Sequence, residues 1–406
     1  MESYNAPGGL RVLVIGGGSA GLLMGQVFKN VGIDAVVFEQ DESPTARQRD
    51  WSFGIYWAQS RIVECLTPEL YARIDTAQTD RAYRHAEGSV LPIYNGTTGE
   101  PLKELPAPHA IRLRRRTWLE LIRTGLDVRY GKKLASIATT DRGVTATFED
   151  GTIEQGSLLI GCEGAHSISR NWLFRSSPMD ANLVELPISS FNTITKLGRE
   201  IALAVRNIHP TYWITLDPTG VFNFCSVHDC DSEDPADWTF LIIVTWKSEE
   251  DTGQTAMGED DGLLLATVLR RTEHLTYPFK DALRAIPRGT KCWYGRMSYW
   301  PTKPWDNRGG RVTLAGDAAH AMTFHRGQGL GNAITDVAEL QTHLRAMEAH
   351  TRDELVKAVG AYEKEVWVRG LDVVMQNRDN TLALHDEWDK TTQSALVVTG
   401  VSRSDH

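Results

Sequence analysis

Apolar residues run without alternation through Arg11–Ile15, helical spacing follows from Ala20 to Asn30, and Ala35–Phe38 is a second β-branched run. This pattern predicts a βαβ unit whose strands are buried on both faces. Helical spacing returns over Arg61–Ile74 and Arg116–Arg123. Between them a Pro/Gly-rich stretch, Leu91–Pro108, reads as loops with room for a hairpin at Asn95–Gly99. Val144–Phe148 and Thr152–Ile160 read as strands about an Asp150-Gly151 turn.

From Leu183 to Lys247 the chain turns β-branched and aromatic with alternation, as in Tyr212–Leu216, Val221–Cys225 and Phe240–Trp246, which predicts a mostly antiparallel sheet. Ser248–Gly262 is acidic and polar and reads as a solvated loop. Arg311–Leu314 predicts another short buried strand, leading through glycines into a long helix. Two further helical stretches close the chain, one with Leu355, Val359, Tyr362 and Val366 on a single packing stripe. No internal repeat or low-complexity tract interrupts this order.

The 406 residues, 41% hydrophobic and 23% charged, are enough for a large core. Lys and Arg number 43 against 52 Asp and Glu, a net charge of −9, so nothing favours a nucleic acid or an anionic membrane surface as partner. Five scattered cysteines without paired spacing signal neither a disulfide framework nor a metal site. The N-terminal apolar run is too short for a signal segment or a membrane span, and the expected location is the cytoplasm.

Three segments carry chemistry. Gly16-Gly17-Gly18-Ser19-Ala20-Gly21 fits G-x-G-x-x-G between a strand and a helix, with Glu39 ending the next strand. Gly16 permits the turn, Gly18 lets backbone approach a pyrophosphate, Gly21 allows close helix-strand packing, and Glu39 is placed to accept from ribose hydroxyls. Leu158–Arg170 places Glu163-Gly164 after an apolar strand, with Ser167 near a helix cap and Arg170 downstream. Arg311–His320 ends a strand on Gly316-Asp317, and Arg326-Gly327-Gln328-Gly329-Leu330-Gly331-Asn332 precedes a helix. A strand-end carboxylate suits polyol hydroxyls, and glycines let backbone N–H groups approach a flat ring.

In this order the motifs resemble those of group A flavoprotein monooxygenases, the single-component FAD enzymes of the p-hydroxybenzoate hydroxylase fold, over nearly the whole chain. Arg116-Thr117-Trp118-Leu119 is similar to the family's R-x-x-L element, and the runs Arg49–Trp57 and His325–Leu330 are similar to fungal members of secondary metabolism. Two departures stand out: Glu163 replaces the family's aspartate, and Phe324 stands where proline is usual.

The resemblance implies an α/β fold: a Rossmann-like FAD/NAD(P)-binding domain from residues 1–176 and 282–390, with 80–110 on the substrate side, a mostly antiparallel β-sheet substrate domain at 177–281, and a tail at 391–406. It implies FAD held by Gly16, Gly18, Gly21, Glu39, Gly54, Arg116, Glu163, Gly164, Asp317, Gly327, Gly329 and Leu330, with no metal. Asp317 would hold the ribityl chain, Arg116 the ribose or phosphate region, and Gly54 would sit beside the isoalloxazine. NADPH or NADH would reduce the flavin, O₂ would add, and a C4a-hydroperoxide would pass one oxygen atom to a hydrophobic or aromatic natural-product intermediate by hydroxylation or epoxidation. The alternatives are a reductase, desaturase or halogenase of the same fold, or a flavin-binding protein without turnover; the Trp-x-Trp-x-Ile-Pro element of flavin halogenases is absent.

Residues that touch substrate are not marked by any motif. Tyr212, Trp213, Phe222, Phe224, Trp246 and Tyr299 are candidate pocket walls that serve equally as core. His85, His228 and His325 are candidate bases, and His320 reads as positional.

Overall fold

The computed structural model describes residues 9–248 and 260–401. A five-stranded sheet has the order β17 (Val312–Leu314), β11 (Leu158–Gly161), β1 (Arg11–Ile15), β2 (Asp34–Phe38), β7 (Asp127–Arg129), and every pairing is parallel. Its strands are apolar runs because both faces are covered, on one side by α1 (Ser19–Asn30), whose residues from Gly21 to Phe28 are buried. A three-stranded antiparallel sheet, β10 (Ile153–Gly156), β9 (Gly143–Phe148), β8 (Leu134–Thr140), stands beside it, and β3 (Ser52–Ile55) pairs antiparallel with β6 (Ile111–Arg114).

The largest sheet has seven strands in the order β16 (Cys292–Tyr299), β12 (Val184–Lys196), β15 (Thr239–Lys247), β14 (Phe222–Asp229), β13 (Tyr212–Leu216), β4 (Val90–Asn95), β5 (Pro101–Pro106). All its pairings are antiparallel except β13 with β4. Residues 9–87 and 107–176 build the other sheets together with β17, so β4 and β5 reach this one as an excursion. The expected boundary at 281/282 cuts the sheet, because β16 pairs along β12 and carries the unit to Tyr299.

Three further expectations change. The stretch expected as loops, Leu91–Pro108, is mostly the β4–β5 hairpin: Asn95 accepts from the N–H groups of Thr97 and Thr98 at 2.9 and 3.1 Å, and the prolines lie towards a sheet edge where a missing N–H costs little. The helix expected over Arg61–Ile74 is α2 (Gln59–Cys65), α3 (Pro68–Tyr71) and a 3₁₀ turn at Ile74–Ala77, since Pro68 holds Thr67 extended and Thr67 Oγ1 then caps α3. Thr152–Ile160 changes sheets at Ser157, whose N–H donates to Arg11 O at 2.7 Å.

The remaining helices are α4 (Arg115–Ile122), α5 (Ile168–Leu173), α6 (Arg199–Ile208), α7 (Asp261–Arg271), α8 (Phe279–Arg284), α9 (Asp317–His320), α10 (Gly329–Arg345), α11 (Arg352–Leu384), α12 (Trp388–Thr392) and α13 (Ala395–Thr399). Leu355, Val359, Tyr362 and Val366 are buried on α11, as their stripe anticipates, and Tyr362 Oη donates to Leu314 O on β17 at 2.8 Å. Residues 249–259 of the acidic stretch lie outside the described residues; at its end Asp260 caps α7 through the N–H groups of Gly262 and Leu263. Of the segment expected as a tail, the described residues 391–401 pack against the rest: Leu396 and Val401 are buried with Tyr56, Leu105 and Leu384, and Arg326 donates to Gly400 O at 3.2 Å.

Candidate cofactor and substrate site

Three motifs meet because three parallel strands end in register. Ile15 is paired with Gly161, and Gly161 with Leu314, so Gly16, Cys162-Glu163 and Ala315-Gly316-Asp317 leave the sheet side by side at its carboxyl edge. From β1 the chain steps outward to β2 and β7 on one side, and it later returns to add β11 and β17 on the other, so the strand order reverses beside β1, the switch point where open α/β sheets bind ligands.

The glycines divide by what a side chain would meet. Gly16 has φ +107° and its N–H donates to Phe38 O at 2.7 Å; a Cβ would run into the backbone of Cys162. A Cβ on Gly21 would collide with the carbonyl oxygen of Gly16, so its hydrogen seats α1 against β1. At Gly18, the N-cap of α1, a Cβ meets nothing within 4 Å. Structure therefore requires glycine at Gly16 and Gly21, whereas at Gly18 the open space faces outward over the first N–H groups of a helix that no side chain caps. Glu39 reaches back over this turn: its carboxylate accepts from Gly17 N–H at 2.6 Å and from Asp41 N–H at 2.9 Å.

Asp317 opens α9 beside the same turn. A Cβ on Gly316 would lie 2.9 Å from the Cβ of Ala20 on α1, and one on Gly329 would lie 4.0 Å from Asp317 Oδ1. The Asp317 side chain is solvent-accessible, yet surrounding protein desolvates it enough to raise its carboxyl above the ordinary range, with Asp336 adding to the rise and His320 and Arg170 opposing it. The carboxylate is thus reachable from solvent and yet closely surrounded by protein. At the N-terminus of α10, beside Asp317, Gly329 and Leu330 stand half-buried in the first turn.

The second glycine loop faces β3. Cβ atoms on Gly54 and Gly327 would lie 2.5 and 2.9 Å from the ring of Tyr56, which occupies the space between them, and one on Gly331 would lie 2.7 Å from Trp57.

Two expected residues are turned elsewhere. The Glu163 carboxylate accepts from Ser167 Oγ at 2.7 Å, Ser169 N at 2.9 Å and Ser169 Oγ at 2.6 Å, fastening the start of α5; burial raises its pKa against these bonds. The extra methylene relative to aspartate is used within the turn, while Gly164 beside it has φ +83° and no neighbour within 4 Å of a Cβ. Arg116 is exposed and donates to Arg47 O at 3.4 Å. Its neighbour Arg115 is half-buried, stacks on Trp51 at 4.6 Å, and feels the charges of Asp50, Asp41 and Glu39, although burial lowers its pKa.

Other residues hold the site in place and carry no local signature. Asp336 on α10 accepts from Gly316 N–H at 2.6 Å, pairs with His320 at 2.8 Å and with Arg369 on α11 at 2.6 Å. Desolvation pushes its pKa up, but His320 and Arg369 together hold it below the usual carboxylate range. His320 is thus positional. Arg170 donates to the carbonyls of Ala181, Ala318 and Ala165 and so ties α5 to α9; burial lowers its pKa to about 10.

Strand alternation sorts the aromatic candidates. Trp213 and Trp246 lie on the face of the seven-stranded sheet covered by α6, α7 and α8, in a core with Phe240, Val268 and Phe279. Tyr212, Phe222 and Phe224 face the other way, towards Tyr56 and Phe324, and Tyr299 packs near Met322 and Phe324. Of the candidate bases, His228 lies 3.5 Å from Asp50; His325 joins Thr245 and Thr381 at 3.0 and 2.9 Å, and burial depresses its pKa well below the ordinary value; His85 is depressed to about 4 by burial and Arg112. Among the described residues no group of three or more His, Cys, Asp or Glu side chains could hold a metal, and no helix is long and apolar enough to cross a membrane.

The open face at Gly18 and the desolvated carboxylate at Asp317 fit an extended dinucleotide carrying a polyol. The family model described as "FAD binding domain" matches residues 115–376. The FAD-dependent monooxygenase cctM of Talaromyces islandicus is 43% identical over 393 residues, 97% of each chain. The FAD-dependent monooxygenase phnB of Penicillium herquei is 33% identical over 394 residues, 96% of this chain and 94% of its own. Among solved structures, Klebsiella pneumoniae HpxO complexed with FAD and uric acid superposes with a TM-score of 0.73 at 20% identity, over 97% of this chain and 93% of that one, a likeness of fold. These matches span the residues that the fold brings to the ends of β1, β11 and β17, and the chain belongs to the group A FAD-dependent monooxygenases of the fungal secondary-metabolite type.

Proposed function

We propose that this chain consumes NADPH or NADH and O₂ to hydroxylate or epoxidise a hydrophobic or aromatic natural-product intermediate seated between the seven-stranded sheet and the Gly54–Gly327 junction. The observation that carries this reading is the sorting of the sheet: Tyr212, Phe222 and Phe224 turn towards Tyr56 and Phe324, while Trp213 and Trp246 serve the opposite core.

When bound, FAD supplies acceptance of hydride and activation of O₂. The chain does the rest. Gly16, Gly18 and Gly21 shape the turn that would take the pyrophosphate, Glu39 would accept from the adenosine ribose, and Asp317 would accept from the ribityl hydroxyls. Glu163 keeps Gly164 in place by fastening α5, and Arg115, in place of Arg116, faces the phosphates. The N–H groups at the start of α10, Gly329 and Leu330 among them, would stabilise negative charge on a flavin bound there, worth about 1 kcal/mol or more when buried. The apolar wall and the packed α12–α13 segment keep water out. The FAD-binding unit comprises the five-stranded, three-stranded and β3–β6 sheets with α9–α11, and the substrate unit is the seven-stranded sheet with α6–α8. A cytoplasmic location accords with five free cysteines among the described residues.

The test is substrate-dependent NAD(P)H oxidation under ¹⁸O₂ with mass analysis of the product. One labelled oxygen atom per turnover supports the reading; NAD(P)H oxidation with an unlabelled, desaturated or reduced product refutes it.

A further inference from the structure

Arg112 is a buried cation without an anion. It stands on β6 opposite Gly54 on β3, is 4% exposed, and makes no ion pair among the described residues. Its Nη2 donates to Ser52 O, Ser52 Oγ and Ser226 Oγ at 3.2, 3.0 and 2.8 Å, joining the β3–β6 ribbon to β14. Its Nε has no partner, and the guanidinium lies 5.0 Å from the Phe224 ring and 5.9 Å from Tyr212.

Other buried arginines are compensated. Arg369 pairs with Asp336 and Glu365, Arg170 feels Glu163 and Asp317, and Arg326 feels Asp372. The acidic groups acting on Arg112 are Tyr56, Tyr212 and Cys225, all driven towards their neutral forms by burial. Two more buried polar atoms beside it have no partner, Tyr212 Oη and His85 Nδ1, and His85 stacks on Tyr212 at 5.4 Å. A buried charge left this way is costly unless something neutralises it. The three side chains that carry these unpartnered atoms are neighbours, His85 stacking on Tyr212 and Tyr212 lying beside Arg112, next to the aromatic face of the sheet and to Gly54.

We propose that Arg112 is the subsite for an anionic oxygen of the substrate, so that the enzyme takes an aromatic or enolic compound bearing an acidic hydroxyl or a carboxylate. This rests on the monooxygenase reading for the location of the substrate. The unpartnered Nε–H donates to the anion while Nη2 stays on the serines and Tyr56 keeps its hydrogen bond to the guanidinium, Tyr212 Oη donates to the same oxygen, and Phe224 stacks on the skeleton. Arg112 thereby fixes which ring position faces the flavin.

The experiment titrates FAD-loaded enzyme with 2-naphthol, 2-naphthoate and 2-methoxynaphthalene, following the visible flavin spectrum from pH 6 to 9. The ionisable probes are expected to bind roughly 30-fold or more tighter than the ether. Affinity for 2-naphthoate that is level with pH marks a carboxylate subsite, and 2-naphthol affinity that rises with pH marks a phenolate subsite; either supports the proposal. R112Q is expected to erase the preference while leaving ether binding in place, and R112K to restore part of it. Equal binding of ether and anions to the wild type, no response to either anion, or an unchanged preference in R112Q overturns the proposal. Oxidised enzyme suffices here, so the result is separable from ¹⁸O incorporation: an anion preference with no labelled product keeps the subsite and refutes the oxygenase reading.

Discussion

The N–H of Gly316 donates to the buried carboxylate of Asp336 at 2.6 Å, so the turn that presents Asp317 is hung from α10. The same carboxylate takes His320 and Arg369, both buried. Asp336→Ala leaves the buried His320 ring without its hydrogen-bond partner and the buried Arg369 with Glu365 alone, and is expected to cost about 3–5 kcal/mol in denaturant unfolding. It should also loosen FAD, although Asp336 lies behind the turn. A loss below about 1 kcal/mol with normal flavin retention would show that the anchor is dispensable.

Gly18 and Gly21 should fail in different ways. A side chain at Gly21 meets the Gly16 carbonyl, so Gly21→Ala is expected to reduce soluble, folded protein and lower thermal stability. Gly18→Val has open space within the protein and should fold as well as the wild type while excluding the pyrophosphate. Circular dichroism melting of flavin-free protein checks both; equal melting of Gly21→Ala and wild type would contradict the packing role.

Arg115 and Arg116 separate by burial. Arg115→Ala is expected to weaken FAD binding roughly 10-fold or more, as loss of a partly buried phosphate contact would. Arg116→Ala should stay within a factor of about 2, because it is exposed. Fluorescence titration of flavin-free protein with FAD measures both, and the reverse ranking would return the role to Arg116.

Acid should unfold the enzyme through its buried histidines. His85 and His385 have pKa values depressed to about 4, and His325 lies well below its ordinary value, in each case first by burial. A depressed folded-state pKa gives stability that is whole above the unfolded value near 6.5 and is lost as pH falls towards the folded value. Each is expected to cost about 2 kcal/mol by pH 5, so urea midpoints should fall steeply between pH 6.5 and 5. Flat midpoints across that window would mean that these rings are already charged in the fold.

The nucleotide-binding half was legible because its signals are local: a β-branched run, three glycines, a helix and an acid suffice to place Gly16–Gly21 and Glu39. Alternation also separates Tyr212 from Trp213, a signal that composition alone hides. Arg115, half-buried where Arg116 is exposed, is not singled out by the R-x-x-L match, which ignores helix phase: Trp118, Leu121 and Ile122 are the buried positions of α4, and Arg115 stands one turn before Trp118. Arg170, Asp336 and Arg369 act across more than a hundred residues or between helices, where no spacing rule reaches. The turn of the β4–β5 hairpin is legible at Asn95–Gly99, but its strands read as loops because a sheet edge tolerates prolines that a central strand would not.

The most direct measurement is the FAD content of purified wild-type enzyme and of Asp317→Ala and Gly18→Val, read from the visible spectrum after gel filtration. Near-stoichiometric flavin is expected in the wild type, with folded but largely colourless protein for both variants. Variants that elute as yellow as the wild type would contradict the convergence of the glycine turn and Asp317 on one flavin.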